Sequence, residues 1–269
     1  MDRSAFVCGF TAVALTGLAF SQIPASRAVL SEHELTLLDT MPPGGQVSLL
    51  LRRAINGYQG ALEQIEQRQE SWFDKFPIST ELNAQVTVAY NSADIRIRTA
   101  AIEISLAGYG LRKERATVES LVEKLKADTG RRPWRLWTLG LLRHRGVEPA
   151  LVHETLTEFL RDPNPDTRRW AVNGLGMLAR NDTIPLLLEI FRADPDSSIR
   201  ERAGCNLADA GMYTREQRLH HALPGFLRLM DDVKLDSQTR SWVFHALREI
   251  TGESIGDDSA TWHNWAARK

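Results

Sequence analysis

The chain has 269 residues, of which 43% are hydrophobic and 25% are charged, and these proportions are ordinary for a globular protein with a sizeable core. Its 33 basic and 34 acidic residues give a formal net charge of −1. That balance argues against a nucleic-acid binder that works by bulk electrostatic attraction, because such proteins usually carry a basic excess.

The N-terminus has the pattern of a secretory signal peptide. An apolar run over 5–20 follows Arg3, and the small residues Ser26 and Ala28 stand at the −3 and −1 positions of a cleavage site. The run has the length of a signal-peptide core and is short for a membrane span. The pattern therefore predicts a signal peptide over 1–28 and export to a periplasm or to the medium. An uncleaved membrane anchor and a buried N-terminal helix are the alternatives.

Cysteine usage fits an exported chain that is stabilised by packing alone. Cys8 lies inside the apolar run rather than just after it, which argues against a lipoprotein. Cleavage leaves Cys205 as the single cysteine, so no intrachain disulfide can form. Cys205 falls on the apolar side of a predicted helix, where we expect a small buried side chain.

Residues 29–77 form a predicted N-terminal helical segment outside the repeats. We expect a short helix over 32–39, a turn at 41–45 and one long amphipathic helix over 46–76, whose apolar residues recur three or four apart. Gly57 and Gly60 each cost about 1 kcal/mol relative to alanine inside a helix. The long helix is interpreted either as a cap on the first repeat or as a surface for oligomerisation or for a partner.

A short internal repeat follows, in which an arginine stands near the start of a helix and small and apolar residues follow on one helix face. The recurring arginines are 37, 33, 32 and 40 residues apart, a spacing typical of two-helix repeats. They are Arg98, Arg135, Arg168, Arg200 and Arg240, and we call them the arginine ladder.

Each ladder arginine, except Arg135, has a helix-capping residue four positions before it. These capping residues are Asp94, Asn164, Asp196 and Asp236. Further helices are predicted over 116–125, 150–159, 183–191 and 222–230. No segment alternates apolar and polar residues, so we expect no strands and an all-α fold.

The repeats and the C-terminal tail resemble those of bacterial HEAT-repeat proteins, of the subtype whose short repeats also occur in phycobilin lyases. The resemblance covers about residues 79–252, and the tail with Gly252, Gly256, Asp258, Trp262 and Trp265 is similar to the ends of such proteins. It implies an α-solenoid of about five HEAT-like two-helix repeats over 78–269, closed by a tryptophan-containing cap. It also implies a structural, inter-repeat role for the ladder arginines.

The sequence contains no recognisable motif for a catalytic residue, a metal site or a cofactor. The seven histidines form no His-Glu-x-x-His motif, and nucleophile-elbow and phosphate-loop motifs are absent from the sequence. Gly174 and Gly176 lie inside a predicted helix, where they indicate close helix packing rather than a nucleotide loop.

A stripe of large side chains lies two positions after the ladder arginines and is the candidate binding surface. Its members are Trp137, Trp170, Arg202 and Trp242. Position +5, taken as the most exposed, adds Asn173 and His245, and is occupied by Gly140 and Asn206 in the other repeats. The resemblance implies that the second helix of each repeat lines a concave face, where tryptophan and arginine would be binding hot spots. The alternative is that the tryptophans pack at the seams between repeats. The loop over 209–217 makes the fifth repeat longer, and we expect it to contribute to the binding surface as well.

These patterns predict an exported, non-enzymatic scaffold that binds a protein or peptide on the concave face, with no nucleic acid and no cofactor. The chain would be attached to a membrane only if its N-terminus is uncleaved. It would form an oligomer only through the 46–76 helix. The alternatives are a HEAT-like enzyme, similar to a phycobilin lyase or a DNA glycosylase, and a membrane-anchored oligomeric scaffold. Export disfavours both enzymes, because their substrates are expected in the cytoplasm.

Overall fold

The computed structural model describes residues 28–269 and divides the chain into two compact units, of which the first ends at Arg112 and the second begins at Lys113. All of the predicted signal peptide except Ala28 lies outside the described residues. The described part contains no β-strand, and Val29 and Gln59 form an isolated bridge there. The all-α fold class is therefore confirmed.

The helices of the first unit are α1 (Glu32–Thr40), α2 (Pro43–Ile55), α3 (Ala61–Arg68), α4 (Thr80–Tyr90) and α5 (Ile95–Gly108), with a 3-10 turn at Gln69–Trp72. The pair α4 and α5 is the first of the predicted repeats, and Arg98 lies near the start of α5.

The helices of the second unit are α6 (Arg115–Ala127), α7 (Arg132–His144), α8 (Pro149–Phe159), α9 (Pro165–Leu178), α10 (Ile184–Ala193), α11 (Ser197–Cys205), α12 (Arg215–Gln217), α13 (Leu223–Leu229), α14 (Ser237–Thr251) and α15 (Ser259–Ala266). A π-helical stretch at 218–222 joins α12 to α13, and another follows α11 at 206–210. Second helices of successive pairs pack side by side, α7 on α9, α9 on α11 and α11 on α14. This translational order is that of an α-solenoid.

The predicted capping residues begin the second helices. The side chains of Asp94, Asn164, Asp196 and Asp236 each accept a backbone N–H of the first helical turn. Arg131 precedes α7 and caps nothing with its side chain, as its residue type predicts. A polar cap four residues before the ladder arginine therefore fixes where each of the other second helices starts.

The single long helix predicted over 46–76 is wrong, because the chain forms α2, α3 and a 3-10 turn there. Gly57 and Gly60 have φ values of 76° and 84°, a left-handed conformation that ends one helix and precedes the next. The 41–45 turn is also shorter than expected, since α2 begins at Pro43. The apolar side chains of this segment, among them Val47 and Trp72, are fully buried within the first unit. The continuous helix on which an oligomerisation surface depended is therefore not formed.

Glycines bring α7 and α9 into backbone contact. A Cβ at Gly140 would lie 2.8 Å from the Cα of Gly174, and one at Gly176 would lie 2.6 Å from Cγ of Asn206. Residues 171–178 of α9 are all buried. The prediction that Gly174 and Gly176 serve close helix packing is confirmed.

The expectation that position +5 of each repeat is the most exposed is wrong. Gly140, Asn173 and Asn206 are buried there, and the Asn206 amide donates to the Val172 carbonyl at 3.1 Å. A helical wheel treats each helix alone, whereas neighbours on both sides of α9 cover this position. Cys205 is fully buried, as expected.

Candidate functional site

The arginine ladder is structural. The Arg168 guanidinium makes two 3.0 Å hydrogen bonds to the carboxylate of Asp194, from the next repeat, and one of 3.0 Å to the Asp162 carbonyl. Arg200 repeats the arrangement one step along, donating to the Asp194 carbonyl at 2.8 Å and to the Asp236 carboxylate at 2.9 Å. The hydrogen bond to Asp194 raises the pKa of Arg168. The predicted inter-repeat role is confirmed for both arginines.

The other ladder arginines hold the loop that precedes their own helix. Arg98 donates to the Ser92 carbonyl at 2.5 Å, and Arg135 donates to the Asp128 carbonyl at 2.7 Å. Arg240 donates to the carbonyls of Met230 and Asp232. Their donors are turned toward the protein, so the ladder is a poor phosphate-binding stripe.

The tryptophan stripe is in large part a seam between repeats. Trp137 and Trp242 are only 4% and 7% exposed. The rings of Trp137 and Trp170 meet edge to face, with centroids 6.2 Å apart and an interplanar angle of 71°. This contact joins α7 to α9, and such a pair contributes about 1 kcal/mol beyond the area it buries.

The accessible part of the stripe lies on α9 and α11. Trp170 and Arg202 are partly exposed, at equivalent positions of two helices that pack together. The residues before them, Arg169 and Glu201, are also partly exposed and were not singled out in the sequence. We call Arg169, Trp170, Glu201 and Arg202 the second-helix patch.

Partial burial affects the charged side chains Arg169 and Glu201 of the second-helix patch. The Arg169 guanidinium lies 6.0 Å from the centroid of the Trp170 ring, within reach of a cation–π interaction. Arg169 Nε is buried and has no hydrogen-bond partner among the described residues. Burial raises the pKa of Glu201, and the charge of Arg202 acts in the opposite direction.

The remaining predicted site residues are not gathered into this patch. Asn173 is 5% exposed inside the α7–α9–α11 packing. His245 lies on α14 and is partly exposed, with Nε2 3.7 Å from a carboxylate oxygen of Glu249 one turn later. Trp242 is buried on the same helix. The structure thus places Trp137, Trp170 and Arg202 on the second helices of three successive pairs, α7, α9 and α11.

Residues 118–208 match the family model of HEAT repeats. The chain carries a HEAT-repeat domain. The match runs from α6 to the residues just after α11, so it contains the second-helix patch. No curated protein and no solved structure matches the chain. HEAT repeats are generally protein-interaction scaffolds.

The long loop over 209–217 of the second unit folds inward rather than bordering a groove. Met212 and Tyr213 are 1% and 2% exposed, and the Tyr213 hydroxyl lies 2.5 Å from the hydroxyl of Thr183. Burial accordingly raises the pKa of Tyr213 far above its usual range. The loop therefore contributes packing to the second unit.

A basic cluster was missed in the sequence, because its residues come from three separate segments of the second unit. Arg143 lies in the last turn of α7, His153 lies on α8, and Arg180 and Asp182 follow α9. Both carboxylate oxygens of Asp182 accept hydrogen bonds from the Arg180 guanidinium. No spacing motif relates these residues, so only the fold could reveal the cluster.

Neither a metal-binding cluster nor a membrane-spanning helix is present over 28–269. No group of three or more histidine, cysteine, aspartate or glutamate side chains in that range is placed to hold a metal ion. Among the helices of the same range, none combines the length and apolar character that crossing a bilayer requires.

Proposed function

We propose that the chain is an exported, non-enzymatic scaffold that binds a protein or peptide partner on the second-helix patch of its HEAT-repeat domain. The observation that carries this proposal is the placement of Trp170. Its ring packs edge to face with the ring of the buried Trp137, and the residue stays partly exposed beside Arg169.

A tryptophan held in this way suits the centre of an interface. Tryptophan and arginine dominate binding hot spots, and they act best when surrounding contacts exclude water. The Trp137 contact and the backbone contact of α7 with α9 fix the base of the patch before a partner arrives. Binding therefore costs little ordering of the scaffold.

The non-enzymatic part of the proposal is supported by how two buried polar groups, Tyr90 and Asp194, are used. Tyr90, whose pKa burial raises, donates to the Ser105 hydroxyl at 3.0 Å. The Asp194 carboxylate is occupied by Arg168. These groups serve packing and inter-repeat contacts rather than a cleft.

Export is proposed from the residue pattern of 1–28, with its apolar run and its small residues before the cleavage site. N-terminal sequencing of the native protein after cell fractionation tests it. Mature protein that begins at Val29 in the periplasm or medium is the expected result, and a full-length cytoplasmic product would contradict export.

The binding proposal is tested with Trp170→Ala and the matched variant Trp265→Ala, which removes another partly exposed tryptophan from the second unit. Each protein is used as bait in an extract of the native envelope or medium, and bound proteins are quantified by mass spectrometry. We expect one partner to be depleted at least tenfold with Trp170→Ala and retained with Trp265→Ala, at unchanged helicity. Equal recovery with both variants and with the wild type would rule out the second-helix patch.

A further inference from the structure

The basic cluster of the second unit contains buried side-chain nitrogens that make no hydrogen bond to the described residues. Nε of Arg143 and Nε2 of His153 are both buried, and neither has a hydrogen-bond partner among the described residues. A buried polar atom without a hydrogen-bond partner costs about 1–3 kcal/mol. A bound ion that pairs with such atoms would remove that cost.

The fold brings the C-terminal ends of α7 and α9 together. Nδ1 of His144 lies 3.1 Å from the Met177 carbonyl oxygen, which joins the C-terminal end of α7 to that of α9. Arg143 precedes this contact, and Arg180 and Asp182 follow it just beyond α9. Burial lowers the pKa of Arg143, and the positive charge of Arg180 lowers it further. The hydrogen bond from Arg180 lowers the pKa of Asp182, and the charge of His153 adds to that effect.

The loop that carries Arg180 is held rigidly. The Gln217 side-chain amide donates to the Ala179 carbonyl at 2.8 Å and to the Asn181 side chain at 2.9 Å. The Thr183 hydroxyl donates to the Arg180 carbonyl at 2.7 Å. Arg180 and Asp182 nevertheless keep 40% and 47% of their side-chain surface exposed. The cluster is thus buried on one side, open on the other and fixed in position.

We propose that Arg143, His153 and Arg180 form a binding site for an oxyanion, either a phosphate or the carboxylate of an acidic side chain. An oxyanion accepts several hydrogen bonds at once, and charge-assisted bonds from guanidinium groups are about twice as strong as neutral ones. Asp182 competes for Arg180, so it weakens binding without closing the site. This site is separate from the second-helix patch and does not depend on the function proposed there.

The test titrates the full chain with two probes at constant ionic strength, inorganic phosphate and a capped tri-glutamate peptide. Constant ionic strength is required because exposed charges are screened by salt. Binding is followed by calorimetry and by the chemical shift of the His153 ring. Two variants should act in opposite directions. Arg143→Gln should weaken binding at least tenfold, and Asp182→Asn, which removes the competing carboxylate, should strengthen it severalfold.

Arg228→Gln is the matched control, because Arg228 is an exposed arginine elsewhere in the second unit. We expect it to bind both probes as the wild type does. Binding of phosphate identifies a free anion as a ligand, and binding of the peptide alone identifies acidic side chains. No saturable binding of either probe, or binding that Arg143→Gln and Asp182→Asn leave unchanged, would overturn the proposal. Asp182→Asn keeps the test decisive if Arg143→Gln does not fold.

Discussion

His144 is a residue whose protonation state is set by its place between two helices. Burial lowers its pKa to about 4, from an ordinary value of 6.5, while the Met177 carbonyl acts in the opposite direction. A carbonyl oxygen only accepts, so Nδ1 carries the proton in this 3.1 Å contact. The folded protein therefore holds a neutral imidazole over a pH range in which the unfolded chain becomes protonated.

This difference predicts that His144 makes stability depend on pH. Because the pKa is lower in the folded state, the stabilisation is fully present above pH 6.5 and is lost as the pH falls toward 4. The loss should amount to about 2 kcal/mol, since part of the shift is screened by solvent. Urea unfolding of the wild type and of His144→Gln, which keeps a donor, measures it. The stability difference between the two proteins should shrink as the pH falls, and a constant difference would contradict the prediction.

At the scale of the helices, the contact between Arg168 and Asp194 links two consecutive repeats. Their side chains are 12% and 3% exposed, and the guanidinium and carboxylate meet in a bidentate geometry. Arg168→Gln leaves the carboxylate buried with fewer partners, so we expect a loss of about 3 kcal/mol, measured by chemical denaturation.

The control for this prediction is Arg192→Gln. Arg192 is paired with Glu189 on the surface of the same unit, and such exposed pairs contribute little to stability. The double variant Arg168→Leu/Asp194→Leu should cost less than the two single changes added together, because no charge is left buried. A loss for Arg168→Gln as small as that for Arg192→Gln would show that the contact is not a link between repeats.

The helix pairs could be predicted because their signals are local. Asp196 caps α11 with its own side chain, and the apolar face of the same helix is readable from residues three and four apart. Arg200, four residues later, marks the register of the repeat. None of these inferences requires knowledge of a distant segment.

The features that the sequence predicted wrongly or did not reveal depend on residues that are far apart in the chain. Asn173 looks exposed on a wheel of α9 alone, yet it is buried because α9 lies between two other second helices. Gly57 and Gly60 have low helix propensity, but their left-handed conformations are decided by how the first unit folds back. Arg143 and Arg180 stand 37 positions apart, so no motif joins them.

At the scale of the second unit, each repeat buries part of its apolar surface against the next repeat. A solenoid of this kind is held by contacts between neighbours, so its stability is close to a sum over repeats and their interfaces. The pair α13 and α14 is followed by α15 rather than by another helix pair. The carboxylate of Asp231, in the loop after α13, accepts hydrogen bonds from Ser259 and His263 of α15. Trp262 is fully buried, and its indole N–H donates to the Gly256 carbonyl at 3.1 Å.

Disruption of this cap should therefore destabilise the neighbouring helices α13 and α14 first. We expect Trp262→Ala to lose about 3–5 kcal/mol, the usual result for a large buried aromatic side chain. Hydrogen exchange should show reduced protection in α13 and α14, while α6 and α7 stay near the wild-type level, because coupling passes only between neighbours. Trp265→Ala is the control, since Trp265 is only partly buried and should cost less. A uniform loss of protection from α6 to α14 would instead mean that the second unit unfolds as one cooperative block.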